Sequence, residues 1–183
     1  IFQAIWLTLI VLEIETMSLA RILTMGDPTT SLIVDIGARS TALAVASNGL
    51  LKYSSQTDFS GSSLTQAIAK GLGVNVRRAE ELKRQRGLIG AGGEYEVSTL
   101  MLPYLDVILS EVRRAKDIYE KNYRAKVERI ILSGGGANLI GIDKYVTKQF
   151  NLPVVKADPF SRINYPSSIA PLVGELCPPL ADS

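Results

Sequence analysis

The chain has 183 residues, of which 46% are apolar, enough for the core of one domain or of two small, closely packed ones. Its formal net charge of +2 is too small and too evenly spread for a nucleic-acid-binding surface, so that class of partner is not expected. Histidine is absent and Cys177 is the one cysteine, which excludes His-based triads, most zinc sites and an internal disulfide. Carboxylates, hydroxyls and bound Mg²⁺ remain as sources of chemistry.

The apolar run that opens the chain is too short to cross a bilayer, because Glu13 and Glu15 follow before about 20 apolar residues have passed. A basic leader and a small-residue cleavage site are both missing, so a signal peptide is not expected. We expect a buried strand from Trp6 to Ile14, then a short helix from Thr16 to Met25.

Three adjacent antiparallel strands are predicted next, with a two-residue turn at Asn48-Gly49 between the last two. They should span Ser31 to Ile36, Thr41 to Ser47 and Leu50 to Asp58.

Asp35 lies near the end of the first strand, where a carboxylate is costly to bury unless it is paired, hydrogen-bonded or near a cation. A Mg²⁺ ion with its waters would satisfy it. Gly37 would let the backbone amides of the turn approach phosphate oxygens, and the hydroxyls of Ser40 or Thr41 could add hydrogen bonds. A plain Asp-x-Gly turn would have the same sequence.

Two helices should follow, one from Gly61 to Leu72 and one that starts at an Asn75 cap. Glu80 and Lys83 are three residues apart in the second helix and therefore share a face. The pair could reach ribose hydroxyls, although a solvated surface ion pair is the commoner arrangement. The Gly-rich stretch from Gly87 to Gly93 should be a mobile loop or an ordinary linker.

The second half of the chain predicts a long helix and then alternating strands and helices. The helix should bury Leu102, Leu105, Leu109, Val112 and Tyr119 and expose Arg113, Arg114 and Lys116. The predicted elements are helix Val97 to Tyr123, strand Val127 to Ser133, helix Gly141 to Phe150, strand Pro153 to Lys156 and helix Ser168 to Cys177.

Three glycines, Gly134 to Gly136, come directly after the predicted strand that ends at Ser133. Without a Cβ atom their backbone can adopt positive φ angles and can lie against a flat ligand. The order of elements predicts an α/β fold, a mixed sheet flanked by helices as in ribonuclease-H-like domains. Ligands of such sheets gather at the carboxyl ends of strands, so Asp35 and Gly134 should lie at one cleft.

Taken in order, these motifs resemble the second half of the actin-like ATPase superfamily, and within it the chain looks most like the PilM-type type IV pilus assembly proteins, which are similar to FtsA. The resemblance runs from about Leu12 to Leu176. It is carried by Val34-Asp35-Ile36-Gly37 with Ser40-Thr41, Gly61 to Ile68, Ala79-Glu80-Glu81-Leu82-Lys83, Leu132 to Leu139 and Asp158-Pro159-Phe160.

The resemblance implies an actin-like ATPase core made of residues 1–58 and 98–183, with a small lobe inserted at residues 59–97. The first actin-like half, with its own phosphate hairpin, would be absent from this chain. It also implies ATP and Mg²⁺ as ligands, with Asp35 holding Mg²⁺ through water. The implied contacts are Asp35, Gly37, Ser40 and Thr41 for the phosphates, Glu80 and Lys83 for the ribose, and Gly134, Gly135, Gly136 and Ala137 for the adenosine.

For function, the resemblance implies an adaptor of type IV pilus assembly in the bacterial cytoplasm, at the cytoplasmic face of the inner membrane. It would hold a membrane-anchored, PilN-like pilus assembly protein, with self-association left open. Nucleotide would be a structural or switching ligand and the chain at most a weak ATPase, since no second carboxylate is identifiable as a base. Three alternatives remain: an FtsA-like filament-forming cell-division protein, half of an actin-fold small-molecule kinase, and a degenerate secretion-system relative that no longer binds nucleotide.

Overall fold

The structure is a computed structural model that describes residues 10–88 and 95–158. Its helices are α1 (Glu15–Thr24), α2 (Gly61–Leu72), α3 (Val76–Arg86), α4 (Tyr95–Tyr123) and α5 (Ile142–Phe150). Its strands are β1 (Ser31–Ile36), β2 (Thr41–Ser47), β3 (Leu50–Thr57), β4 (Arg129–Ser133) and β5 (Val154–Lys156), and a 3₁₀ turn covers Gly135–Asn138. Apart from the strand predicted over Trp6 to Ile14, the predicted elements in this range are confirmed to within about two residues. The helix predicted over Ser168 to Cys177 and most of the Gly87 to Gly93 loop lie outside the described residues.

The five strands form one mixed sheet in the order β3-β2-β1-β4-β5. The β1–β2 and β2–β3 pairs are antiparallel, and the β1–β4 and β4–β5 pairs are parallel. At the hairpin between β2 and β3, Asn48 and Gly49 both have positive φ, 50° and 76°, as the predicted two-residue turn requires. Asp35 pairs with Ser133 in the parallel register, which confirms that β1 and β4 end at the same edge of the sheet.

Helices cover the two faces of the sheet unequally. Helices α2 to α5 contribute to the larger hydrophobic cluster, in which Leu105 and Leu109 of α4 pack with Leu32 and Val34 of β1. On the opposite face, Ala20 of α1 packs in a smaller cluster that contains Ile33 of β1. Of the predicted α4 stripe, Leu105, Leu109, Val112 and Tyr119 are buried, while Leu102 is partly exposed.

Helices α2 and α3 share the core of the sheet. Leu64 and Ile68 of α2 and Leu82 of α3 belong to the same hydrophobic cluster as the β1 and β4 residues. This packing fixes α2 and α3 against the long helix α4. The division into a core of residues 1–58 and 98–183 and a lobe of residues 59–97 stays a prediction.

The buried strand predicted from Trp6 to Ile14 is wrong for the residues that the structure describes, and residues 6–9 lie outside them. Ile10, Val11 and Leu12 are 88%, 68% and 82% exposed and belong to no strand. An apolar run forms a strand only where a sheet edge accepts its backbone hydrogen bonds. Here Glu13 accepts a hydrogen bond from Ser18 at 2.8 Å and another from Arg21, which ties the segment to α1 instead.

None of the helices within residues 10–88 and 95–158 has the combination of length and apolar character that spanning a membrane requires.

Candidate functional site

Asp35 lies half-buried near the carboxyl end of β1, beside Ser133 at the end of β4 and Gly134, the first glycine of the Gly-rich turn that follows. Burial raises the pKa of Asp35, the negative charge of Glu15 raises it further, and a hydrogen bond with Ser133 opposes both effects. Within the described part of the chain no cluster of three or more acidic, histidine or cysteine residues accompanies it. A Mg²⁺ ion would therefore find fewer than three such protein ligands here, which suits an ion held mainly by water and by phosphates of a ligand.

The three glycines after β4 differ in what surrounds them. Gly134 has a φ of +75°, and a Cβ atom on it would lie 2.6 Å from Asp35 Oδ1. A Cβ atom on Gly136 would overlap the side chain of Ile36, whereas one on Gly135 would meet nothing within 4 Å. Gly134 and Gly136 thus let the turn pack against the end of β1, and Gly135 faces open space.

The turn between β1 and β2 is fastened to the N-terminus of α2 by backbone hydrogen bonds. Gly61 N donates to Gly37 O at 2.9 Å, and Ser62 N donates to Ala38 O at 3.1 Å. Gly37 N donates to Ser40 O at 3.0 Å, and a Cβ atom on Gly37 would lie 2.9 Å from the same oxygen. Only glycine fits this close approach, so the local backbone needs Gly37.

The hydroxyl of Thr41, which was a predicted phosphate contact, is bonded within the protein. Thr41 is fully buried, and its hydroxyl donates to Phe59 O at 2.7 Å. The reason is the two-residue period of β2, which places Thr41 on the same face as the buried Leu43 and Val45. Ser40 is half-buried, and its carbonyl, which accepts from Gly37 N, serves the turn.

Lys83 on α3 is held inside a polar network, with a side chain that is 14% exposed. Its ammonium group lies 2.8 Å from Glu80 Oε2, 2.8 Å from Thr65 Oγ1 and 3.1 Å from Gly61 O. A lysine has three donors, and these acceptors use all of them. The Glu80–Lys83 pair is therefore not a solvated surface pair, and it joins α3 to the first turn of α2.

Glu80 accepts hydrogen bonds on both carboxylate oxygens. Oε2 accepts from Thr65 at 2.5 Å and from Lys83, and Oε1 accepts from Arg84 at 2.9 Å. Partial burial raises the pKa of Glu80, but the hydrogen bonds from Lys83, Thr65 and Arg84 outweigh it and lower the pKa to about 2. Glu80 is thus an ionised acceptor at neutral pH.

These segments enclose a cavity of about 600 Å³, a size typical of small-molecule sites. Beside the cavity, the residues that follow α3 are joined to those that follow the 3₁₀ turn, because Leu88 N donates to Ile140 O at 2.8 Å. The lining residues combine glycine backbone with one carboxylate and two cations: Gly37, Ala38, Gly61, Ser62, Leu64, Glu80, Lys83, Arg84, Gly135, Gly136, Asn138 and Leu139.

The cavity contains part of the predicted site. Of the residues predicted from sequence, those that line it are Gly37, Glu80, Lys83, Gly135 and Gly136, and those that do not are Asp35, Ser40, Thr41, Gly134 and Ala137. Two further residues of the site, Thr65 and Arg84, are not among those predicted from sequence. Both could have been found from helical spacing, since Thr65 lies four residues after Gly61 and Arg84 four after Glu80.

The chain matches the family model "Type IV pilus assembly protein PilM" over residues 7–173. Among solved structures it is similar to a PilM–PilN type IV pilus biogenesis complex, at 23% identity and a TM-score of 0.75, over 92% of this chain and 49% of that chain. It is similar to MreB5 of Spiroplasma citri bound to ADP, at 22% identity and a TM-score of 0.69, over 86% of this chain and 58% of that chain. An archaeal actin homologue matches at 20% identity with a TM-score of 0.57, over 80% of this chain and 49% of that one.

The solved structures share the fold of this chain, which is the actin-like fold with a mixed five-stranded sheet flanked by helices. The chain spans about half the length of the structures that it matches. The family model, in contrast, covers almost all of the chain. The chain therefore belongs to the PilM family of type IV pilus assembly proteins.

Proposed function

We propose that this chain supplies one side of a two-sided cleft that binds ATP with Mg²⁺, within an adaptor protein of type IV pilus assembly. The observation that carries the proposal is the cavity of about 600 Å³ where the β1–β2 turn, α2, α3 and the Gly-rich turn converge. One structure of the same fold, MreB5, has ADP bound, which supports a nucleotide as the ligand.

The phosphates would lie against the β1–β2 turn. Since Gly37 N already donates to Ser40 O, the phosphate oxygens would meet backbone amides farther along the turn, from Ala38 onward. The Ser40 hydroxyl stays a candidate contact. Asp35 would hold Mg²⁺ through water, and the ion would neutralise part of the phosphate charge.

The nucleoside would lie between α3 and the Gly-rich turn. Glu80 would accept a ribose hydroxyl, and Lys83, whose three donors are used within the protein, would act by holding Glu80. Gly135 and Gly136 would give the adenosine a flat backbone surface, with Gly134 and Ala137 supporting the turn. The guanidinium of Arg84, which lines the cavity with a side chain 78% exposed, could stack on the base.

We infer that nucleotide acts as a structural or switching ligand and that hydrolysis is slow or absent. An efficient general base has a pKa near the working pH. Glu80, with a pKa of about 2, is a poor base, and Asp35 would be occupied by the ion and its waters. These groups support at most a weak ATPase.

The proposed partner is the tail of a membrane-anchored, PilN-like protein at the cytoplasmic face of the bacterial inner membrane. Family membership supports this, because the similar PilM structure was solved as a PilM–PilN complex. The test uses a protein of the length of the matched PilM structure that contains this chain, called the longer protein below. It is co-purified with such a tail, with and without Mg-ATP. Retention of the tail is expected, and failure to retain it under both conditions would contradict the adaptor role.

Calorimetric titration of Mg-ATP tests the nucleotide site itself. The titration compares this 183-residue chain with the longer protein that carries both sides of the cleft. We expect tight binding by the longer protein and weak binding by the chain, because half of the contacts would be missing. If neither protein binds, the family's fold serves partner surfaces here without nucleotide.

A further inference from the structure

Thr65 lies at the centre of the polar network between α2 and α3. Its side chain is buried, with 3% of the residue exposed. Its hydroxyl oxygen is 2.5 Å from Glu80 Oε2, 2.8 Å from Lys83 Nζ and 3.0 Å from Gly61 O. A hydroxyl has one proton to donate, and the ionised carboxylate is both the nearest and the strongest acceptor. Thr65 therefore donates to Glu80 and accepts from Lys83.

The network leaves one part of Glu80 available. A carboxylate has about four acceptor positions, two on each oxygen. Oε2 accepts from Thr65 and Lys83, which fills both of its positions. Within the described part of the chain Oε1 accepts one hydrogen bond, from Arg84 at 2.9 Å. One acceptor position of Oε1 remains on a residue that lines the cavity.

We propose that Thr65 is a positioning residue that holds Glu80 in the rotamer in which Oε1 receives a ribose hydroxyl. This inference rests on the proposed nucleotide site. Without the hydroxyl, Glu80 would lose one of the two hydrogen bonds to Oε2, and Lys83 would lose one of its three acceptors. Glu80 would then be held less firmly and would gain freedom to follow the exposed Arg84 toward solvent. The ligand would then have to order Glu80 on binding, and the lost entropy would lower its affinity.

The test compares Thr65→Val, which removes the hydroxyl, with Thr65→Ser, which keeps it. The matched control is Thr24→Val on α1, since Thr24 is also buried and its hydroxyl donates to the carbonyl four residues earlier, Ala20 O, at 2.7 Å. Dissociation constants for Mg-ATP, 2′-deoxy-ATP and 3′-deoxy-ATP are measured by titration with the longer protein.

We expect Thr65→Val to weaken ATP binding by about 10-fold, the equivalent of one hydrogen bond to a charged group. It should also lose the preference for ATP over the deoxynucleotides, and Thr65→Ser should retain that preference. Thr24→Val should lower the melting temperature and keep the preference. If Thr65→Val keeps the wild-type preference, or if Thr24→Val loses it equally, the proposal is overturned.

A second readout does not depend on nucleotide. The carboxyl group of Glu80 is titrated by NMR in the nucleotide-free protein labelled with ¹³C-glutamate. We expect Thr65→Val to raise the pKa of Glu80 by roughly one pH unit, because the variant loses one charge-assisted hydrogen bond. An unchanged pKa would overturn the role of Thr65 even if ATP binds. Absence of ATP binding by the wild type, with the pKa raised in the variant, would instead overturn the proposed nucleotide site.

Discussion

Gly135 and Gly136 are neighbours in the Gly-rich turn but differ in what a side chain would meet there. A side chain at position 136 would overlap Ile36, whereas a Cβ atom at position 135 has open space around it. Gly135 lines the cavity, so a side chain there would project into or beside the ligand site. The two positions therefore separate a binding defect from a folding defect.

Gly135→Asp should weaken ATP binding at least 10-fold by placing a carboxylate against the nucleotide, with a change in unfolding free energy within about 1 kcal/mol. Gly136→Ala, its control, should destabilise the protein by about 1–3 kcal/mol through overpacking. Thermal unfolding and ATP titration of both variants measure these effects. Unchanged ATP affinity in Gly135→Asp would place the adenosine elsewhere.

Burial and the negative charge of Glu15 raise the pKa of Asp35, so the ionised form of this carboxylate destabilises the folded protein. Asp35→Asn keeps the shape and removes the charge, so the nucleotide-free protein should be equally stable or more stable at pH 7, by up to about 1 kcal/mol. The Mg²⁺-dependent part of its ATP affinity should be lost. Urea unfolding and titrations with and without Mg²⁺ measure this, and full Mg²⁺ dependence in the variant would contradict the assigned role.

Helix α3 brings together two neighbouring glutamates with different surroundings. Glu80 lines the cavity and bonds to Lys83, whereas Glu81 pairs with Arg78 at 3.1 Å on the exposed side. The contrast between the two makes Glu81 a matched control for Glu80.

Glu80→Gln should weaken ATP binding by about 10-fold, because a neutral amide accepts the ribose hydroxyl less strongly and loses its charge pairing with Lys83. Glu81→Gln should bind as the wild type does. Calorimetric titration with Mg-ATP measures the affinity of both variants. Equal losses would show that the charge of the helix, and not the position of Glu80, matters.

The elements of this fold could be predicted from sequence because their signals are local. The continuous apolar runs of β1 and β2, the Asn75 cap and the Gly73 stop all act within a few residues. The strand predicted over Trp6 to Ile14 failed because strand formation depends on a distant partner. For Thr41, the two-residue period of a strand, starting from the apolar Leu43, already predicts a buried side chain.

The site was predictable in its backbone parts and less so in its side chains. The glycines at positions 37, 134 and 136 could be predicted to matter because no residue with a Cβ atom fits there. The hydrogen bonds of Lys83 to Thr65 and Gly61 join residues 18 and 22 positions apart in sequence. They therefore depend on how α2 and α3 pack together. Spacing within a helix places Glu80 and Lys83 on one face, but it does not say what that face meets.

Two acidic groups tie distant parts of the molecule together and make its stability depend on pH. Asp27, before β1, accepts a hydrogen bond from Arg129 of β4 at 2.6 Å. Hydrogen bonds from Thr29, and then the Arg129 guanidinium, lower the pKa of Asp27 to about 2 against the opposing effect of burial, and Glu80 also has a pKa of about 2. Both folded-state pKa values lie below the ordinary ones of 3.8 and 4.5.

The unfolded chain therefore takes up protons first as the pH falls, and the stabilisation from both groups is present above about pH 4.5 and lost toward pH 2. Asp27→Asn with Glu80→Gln should lower the unfolding free energy at pH 7 by about 1–3 kcal/mol and flatten its decline between pH 5 and pH 2. Urea unfolding at several pH values measures the slope. Asp35 is present in both proteins, so its opposite contribution cancels, and an identical slope would contradict this account.

The proposed nucleotide site places four segments that are distant in sequence on one wall of a cleft. Hydrogen–deuterium exchange of the longer protein, with and without Mg-ATP, tests directly whether one nucleotide contacts all four. We expect slower exchange at residues 37–41, 61–65, 80–84 and 134–139 on addition of Mg-ATP. Protection confined to other regions, with these four unchanged although ATP binds, would contradict it.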